Sequence, residues 1–238
     1  MPERIEFFSP VDSFNFGEAN DWHLNTGGSP QQSKSTNDAL GKDGDHIGRN
    51  EYDKKEQVTC SYVSTKNTGN LALPVVGSIM NGYHVDNFSL SLSQTDFPKL
   101  DITGHKHKSG SPDSGCRTYT PSLQIPAHPI GVPSTLAGAY ALGAGIPCGM
   151  KSLNYSVQVN HQDELNCDGD HLQGDNYDGT ETLSLESTGN IDEDDLTLEE
   201  GWAFDSSGKN QSNTAATTSS FNLTKHIAHD VTDPTPEA

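Results

Sequence analysis

Histidine and carboxylate side chains are the groups of this sequence that could bind a metal ion, and the chain has 10 histidines and 33 acidic residues. His105 and His107 lie two positions apart. On a β-strand such a pair points to one face, a geometry that can hold zinc, copper or nickel. His226 and His229 lack this spacing, and no third ligand follows from the sequence. We therefore predict no metal site and no cofactor, with His105 and His107 as the only candidate ligands.

The tetrapeptide Asp-Gly-Asp-His occurs twice, at 43–46 and at 168–171. A calcium loop needs oxygen ligands at alternating positions and glycine at the sixth. The fifth residue is Ile47 in the first copy and Leu172 in the second, where Gln173 is the sixth, so the spacing fails. Asp-Gly is instead a strong signal for a hairpin turn. We predict two tight turns with acidic tips.

No pattern typical of an enzyme is present in the sequence, and we predict that the protein is not one. There is no G-x-S-x-G motif, and the segment "GKDGD" lacks the spacing of a phosphate-binding loop. The start, "MPERIEFFSP", has no signal-peptide pattern, so the cysteines are expected to be reduced thiols. They show no C-x-x-C spacing, which argues against zinc held by thiolates: Cys60, Cys116, Cys148 and Cys167.

Composition favours β-structure with long polar loops. Apolar residues make up 31% of the chain, and its polarity comes largely from Asn, Ser, Thr, Gly and Asp. The net charge of −19 opposes affinity for a nucleic-acid backbone, because phosphate contacts need Lys and Arg. The weakly polar run "GVPSTLAGAYALGAGIPCGM" is broken by Gly and Pro, so we expect no membrane partner.

The two tetrapeptides belong to a longer repeat, with starts 168 − 43 = 125 residues apart. Residues 43–56 align with 168–181 without gaps, and 7 of the 14 positions are identical. Alternating segments follow both copies, "EQVTCSYVST" and "ETLSLEST", and each predicts a half-buried strand. Such self-similarity at a fixed offset indicates a duplicated unit.

Other alternating segments support this interpretation. The strand "KLDITGHKH" (99–107) resembles "FNLTKHIAH" (221–229), and "VDNFSLSLSQ" and "KSLNYSVQVN" each predict an antiparallel strand with one polar face. The first unit has "GGSPQQSK" where the second has "KSLNYSVQVN". The duplication is therefore imperfect, or an insertion has displaced that strand towards residues 14–24.

The predicted fold is mainly β, with two tandem related antiparallel β-sandwich or barrel units joined by a Pro/Gly-rich segment. The predicted boundaries are a first β-unit with an N-terminal arm (1–110), a linker or arm (111–149), a second β-unit (150–230) and a flexible tail (231–238).

The first unit resembles the small β-domains of tailed-bacteriophage structural proteins. The resemblance rests on "LALPVVGSIMNGYHVDNFSLSLSQTDFPKLDITGHKH", with its Pro-Val-Gly stretch, Ser-rich alternating strand and "DFPKL" turn. It implies a virion component of the tail-tube type, made in the host cytoplasm, that assembles with itself into stacked rings, as trimer or hexamer, and meets other tail proteins. That family has no catalytic residues to carry over. The duplication and the proline-rich middle depart from single-domain tube proteins and leave a baseplate, neck, tail-terminator or capsid-associated role open.

An acidic tube would let DNA pass without binding it. The candidate residues for a DNA-repelling surface are Asp43, Asp45, Asp168, Asp170, Asp192, Glu193, Asp194 and Asp195. Two other functions remain open. One is a carbohydrate- or surface-binding β-module that uses Trp22 and Trp202 as stacking platforms. The other is a metal-dependent enzyme built on His105 and His107.

Overall fold

The structure is a computed structural model. It describes residues 11–17, 20, 22–64, 70–93, 96–111, 116–121, 139–141, 150–190, 192–196, 198, 200–211 and 217–227. The described part is mainly β, without an α-helix, so it offers no helix that could cross a membrane. Its strands are β1 (His23–Thr26), β2 (Gln31–Leu40), β3 (His46–Val63), β4 (Asn70–Ala72), β5 (Ile79–Met80), β6 (Tyr83–Ser93), β7 (Lys99–His107), β8 (Ala139–Ala141), β9 (Met150–Leu165), β10 (His171–Thr188), β11 (Trp202–Asn210) and β12 (Thr218–Ile227).

Ten of these strands form one open antiparallel sheet. Its order is β1-β3-β7-β6-β9-β10-β12-β11, with β2 paired to β3 beside β1 and β5 paired to β6. A separate small sheet pairs β4 with β8. The mainly β, antiparallel prediction is confirmed. The structure does not confirm two tandem sandwich or barrel units, since strands from both halves of the chain share one sheet.

Period-two alternation explains which face of the sheet is buried. Phe88, Leu90 and Leu92 of β6 are buried, and the serines between them lie on the other face. On that polar face the Ser91 hydroxyl donates to Asn154 across the β6–β9 pair, at 2.6 Å. The core combines both halves of the chain and includes Phe14, Trp22, Tyr62, Phe88, Leu100, Ile102, Tyr155, Val157, Leu183 and Phe221.

The hairpins β2–β3 and β9–β10 have the same local geometry. β3 and β10 are both 18 residues long and begin 171 − 46 = 125 residues apart. Both tetrapeptides form the predicted turns, with positive φ angles of 82° at Gly44 and 83° at Gly169. Asp53 and Asp178 lie at equivalent bulges, each with a φ of 51°. Sequence identity and backbone geometry therefore coincide from the turn to the bulge of β3 and of β10.

Strand order also corresponds between the halves. The strands β2-β3-β7-β6 form a first four-stranded set, and β9-β10-β12-β11 form a second set that follows it across the sheet. The pair β6–β9 joins the two sets. β7 and β12 correspond as predicted, but not in the predicted register. Lys55 of β3 pairs with His107 of β7. Thr180, which corresponds to Lys55 by the offset of 125, pairs with His226 of β12, so β7 and β12 are related by an offset of 226 − 107 = 119. The alignment of 99–107 with 221–229 implies an offset of 221 − 99 = 122 instead. The structural register matches buried Ile102 with buried Phe221, since a strand must place its apolar residues on the core side.

The counterpart of β9 in the first half of the chain is divided into two strands, β1 and β2. β1 and β2 both pair with β3, and the break between them falls at 27–30, "GGSP". Phe14 and Phe16, in the region where a displaced strand was expected, instead pack into the core outside any strand. Most of 111–149 and all of 231–238 lie outside the described residues, so the predicted domain boundaries remain predictions.

The sheet is strongly curled at one end. The turn between β9 and β10 reaches β3, although β7, β6 and β9 lie between β3 and β10 in the sheet. The backbone N–H of Asp53 donates to the Gly169 carbonyl at 3.1 Å, and Gly110, just beyond β7, forms a parallel bridge with His171 of β10. Curling brings the polar ends of β3, β6, β7, β9 and β10 together.

Candidate functional site

The curled end of the sheet encloses a cluster of five histidines, which we call the histidine cluster: His84, His105, His107, His161 and His171. His105 and His107 are the pair singled out by their spacing, and their ring centroids lie 5.2 Å apart. His161 lies 4.9 Å from His105, and His107 stacks on His171 at 3.6 Å. The structure thus brings the predicted pair together with three further imidazoles.

Asp86 fixes two of these rings. Its Oδ1 lies 2.7 Å from Nδ1 of His105 and 3.0 Å from Nδ1 of His84. Burial alone would raise the pKa of Asp86, but the contacts with His105 and His84 outweigh it and hold the pKa below its usual value. Asp86 is therefore an ionised acceptor that orients both imidazoles.

Asp163 is the carboxylate at the centre of the cluster. Its Oδ1 lies 2.9 Å from Nε2 of His161, 3.1 Å from Nε2 of His107 and 3.3 Å from Nε2 of His171. Burial would raise the pKa of Asp163, yet the contacts with His107, His161 and Lys55 lower it far below its usual range. Three ring nitrogens thus converge on one ionised oxygen.

Lys55 closes the cluster from β3. Its ammonium contacts the other oxygen of Asp163 and lies 3.4 Å from Asp53. Burial alone would lower the pKa of Lys55, but Asp163 and Asp53 raise it above the usual value. Lys55 is therefore a fixed positive charge beside the histidines.

Asn176, fully buried in β10, links the rings to the backbone. Its side-chain nitrogen donates to the Arg117 carbonyl at 2.7 Å and lies 3.2 Å from Nε2 of His84. Its side-chain oxygen lies 2.8 Å from Nδ1 of His161. This arrangement assigns Nδ1–H to both His161 and His84, since the amide nitrogen can only donate and the amide oxygen can only accept.

His161 and Asp163 were missed at the sequence level. They stand two residues apart on β9, the same spacing that singled out His105 and His107, so the signal was present in "NHQDE". Spacing alone could not join the two pairs, because β6 lies between β7 and β9.

The acidic candidates occupy three separate places. Asp43 and Asp45 are exposed at the β2–β3 turn, while Asp168 is exposed and Asp170 half-buried at the β9–β10 turn. Asp192, which precedes the short 3-10 turn Glu193–Asp195, and Glu193 and Asp194 within it are exposed, and Asp192 forms an ion pair with Lys209. Asp195 lies in that turn, and its side chain is outside the described part.

The two outer strands present polar, exposed edges. Every residue of β2 is exposed except Ser35, and β11 is exposed from Asp205 to its end. Large apolar side chains are also exposed along the two hairpins: Leu40, Ile47, Leu172 and Tyr177. Unpaired strand edges next to apolar side chains are suited to pairing with another chain.

Trp22 and Trp202, proposed above as stacking platforms, are 1% and 9% exposed. Their faces are therefore not open to a glycan. Comparison with known proteins adds no family to these observations: no family model matches the chain, and no curated protein shows significant similarity to it.

Proposed function

We propose that this protein is a non-enzymatic structural subunit of a phage tail, of the tail-tube type, which assembles with copies of itself into rings. One observation carries the proposal: two hairpins whose second strands, β3 and β10, are equal in length and share the same turn and bulge lie in successive four-stranded sets of one sheet, whose outer edges remain exposed. Because one set already continues the sheet of the other within the chain, the same kind of edge pairing could continue the sheet into the next copy. Duplication of one ancestral unit accounts for both sets.

The junction inside the chain serves as a template for the junction between copies. Within the chain, β6 of the first set pairs with β9 of the second. The counterpart of β6 is β11, and the counterpart of β9 is the β1–β2 edge. In the proposed ring, β11 of one copy pairs antiparallel with residues 27–33 of the next, which run from the break after β1 into the start of β2. This pairing satisfies the exposed edge groups that would otherwise promote irregular aggregation.

A second contact repeats in the same way. Within the chain, the β9–β10 turn rests on Tyr52 and Asp53 of β3. The corresponding elements are the β2–β3 turn and Tyr177 of β10, and Tyr177 is 45% exposed. In the assembly, the Gly44 turn of one copy covers Tyr177 of its neighbour. A single interface would then account for the exposure of both the Gly44 turn and Tyr177 in the isolated chain.

Closed symmetry sets the expected size of the ring. With two sets in each chain, three copies present six quasi-equivalent sets around one axis. A ring of six complete chains would contradict this part of the proposal. Stacked rings would form the tube of a virion, in contact with other tail proteins.

Charge supports passage of DNA rather than binding. The chain carries a net charge of −19, and acidic residues are exposed at the β2–β3 turn and beside β11. At an effective dielectric constant of 20, a phosphate 10 Å from one carboxylate is repelled by roughly 1–2 kcal/mol before salt screening. Rings of such carboxylates would keep DNA mobile in a lumen.

Mass photometry and negative-stain microscopy of the purified full-length chain test the proposal. We expect closed rings, each with the mass of about three chains, whose fraction rises with protein concentration. Monomers at all accessible concentrations would overturn it. Class averages with six complete chains would leave assembly intact but reject the trimer.

A further inference from the structure

Two strands that are not neighbours each contribute a pair of donor groups to one small volume. His105 and His107 come from β7, and His161 and Asp163 come from β9, with β6 between them. Their donor atoms all lie within 4.8 Å of one another. Nε2 of His161 and of His107 lie 2.9 and 3.1 Å from Oδ1 of Asp163. Neighbouring ligands around a tetrahedral zinc are about 3.3 Å apart for bond lengths near 2.0–2.1 Å.

Hydrogen bonds orient the rings as ligands. Nδ1 of His105 donates to the carboxylate of Asp86, and Nδ1 of His161 donates to the amide oxygen of Asn176. In a neutral imidazole the opposite nitrogen, Nε2, then carries the lone pair. A carboxylate or amide oxygen behind a histidine is the usual outer-shell partner of a metal-bound imidazole, which it orients and makes more basic.

Charge balance also points to a dication. Asp53, Asp86 and Asp163 contribute three negative charges around the cluster, and Lys55 contributes one positive charge, which gives 1 − 3 = −2 when the histidines are neutral. Asp86 and Asp163 are largely buried, so this excess charge is costly. One divalent ion makes the sum zero.

We propose that the chain binds one divalent first-row transition-metal ion, best matched by zinc, through Nε2 of His105, His107 and His161 and the carboxylate of Asp163. Three imidazoles and one carboxylate suit zinc, and four protein ligands in a buried position are typical of a structural site. The ion would connect β7 to β9 across β6. It would thereby fix the curl that sets the angle between the two halves of the sheet.

Among the described residues, the strands that correspond to β7 and β9 do not repeat the site. The counterparts of His105 and His107 in β12 are Thr224 and exposed His226, by the offset of 119 that the strand pairing gives. The counterpart of His161 in β2 is Thr36, by the offset of 125. A metal ion would therefore hold the junction inside the chain and not the one between copies, so the inference does not depend on ring formation.

Metal uptake by the full-length chain tests the inference. Protein dialysed against a chelator and then against buffer is titrated with zinc chloride, and bound zinc is counted by elemental analysis after desalting. We expect one zinc per chain and a rise in the unfolding midpoint. Cobalt(II) as a substitute should give the intense visible absorption of a tetrahedral ion. Wild-type protein that takes up no zinc and gives only the weak octahedral cobalt spectrum would overturn the inference.

Variants locate the ion. His107→Gln and His161→Gln should each lower zinc affinity at least tenfold, whereas His226→Gln, the exposed counterpart of His107, should leave it unchanged. Circular dichroism checks that each variant is folded, and the wild-type cobalt spectrum remains decisive if one is not. Equal zinc affinity in all three variants would overturn the assignment. Nitrogen-detected NMR that finds protonated, metal-free imidazoles in zinc-saturated buffer would also overturn it.

Discussion

Asp53 on β3 donates its backbone N–H to the carbonyl of Gly169 at the tip of the β9–β10 hairpin, at 3.1 Å. Three strands separate β3 from β10 in the sheet, so this bond spans the curl and joins the two halves of the chain. The histidine cluster lies beside it, because Lys55 follows Asp53 by two residues and Asp163 lies on the same hairpin as Gly169.

Gly169→Ala should open this contact. A Cβ at residue 169 would stand 2.5 Å from Cβ of Tyr52, and the φ of +83° adds strain of about 1 kcal/mol for an L side chain. Gly44→Ala carries the same backbone strain with no atom within 4 Å inside the chain. We expect Gly169→Ala to lose about 1–3 kcal/mol more than Gly44→Ala in urea unfolding at low protein concentration. Equal losses would refute the packing of this turn on Tyr52.

Gly44→Ala should instead weaken assembly. In the proposed ring Gly44 meets Tyr177 of the next copy, as Gly169 meets Tyr52 within the chain. Sedimentation velocity should show a lower ring fraction for Gly44→Ala than for Gly82→Ala. Gly82 has a φ of +81° and open space around it, so this control reproduces the backbone strain away from the contact. Matching ring fractions for the two variants would argue against the turn contact.

Cysteine cross-linking tests the register between copies. Phe88 of β6 pairs with Val157 of β9 inside the chain. Their counterparts are Ser207 of β11 (88 + 119 = 207) and Gln32 of β2 (157 − 125 = 32), so these two residues of adjacent copies should pair in the ring. In a Cys167→Ser background, which removes an exposed native thiol, Ser207→Cys with Gln32→Cys should form disulfide-linked ladders on mild oxidation. Ser207→Cys with Ser35→Cys, three residues out of register, should link poorly. Ladders of equal yield from both pairs would show that the edges do not meet in this register.

Tyr155→Phe should destabilise the core. The Tyr155 hydroxyl donates to the carboxylate of Glu181 at 2.7 Å, and both residues are buried. Removing one partner of a buried hydrogen bond costs about 1–3 kcal/mol. Tyr177→Phe, at a 45% exposed position, should change the free energy of unfolding of dissociated protein by less than about 0.5 kcal/mol. Thermal or urea unfolding of the two variants compares these free energies directly. If Tyr155→Phe lowers the free energy of unfolding no more than Tyr177→Phe does, the hydrogen bond from Tyr155 to Glu181 does not stabilise the core.

Local pattern sufficed for several of the strands and for both Asp-Gly turns of this protein. Alternation in "VDNFSLSLSQ" and "KSLNYSVQVN" predicted β6 and β9 with the correct buried faces, because period two is a property of each strand by itself. The Asp-Gly pairs predicted both turns, because glycine alone adopts a positive φ without steric cost. The 125-residue offset between the two tetrapeptides matches β3 with β10, which begin 125 residues apart.

Tertiary structure decided what these elements build together. The register of β12 differs from the sequence alignment by three residues, because burial of Phe221 and Leu223 sets it and not similarity of letters. The histidine cluster depends on the curl that brings β3, β7 and β9 to one place. The sequence determined the pairs His105/His107 and His161/Asp163 through their spacing on single strands. Only the fold could bring the two pairs together, because proximity between strands depends on pairing order and sheet curvature, and neither is encoded in local spacing.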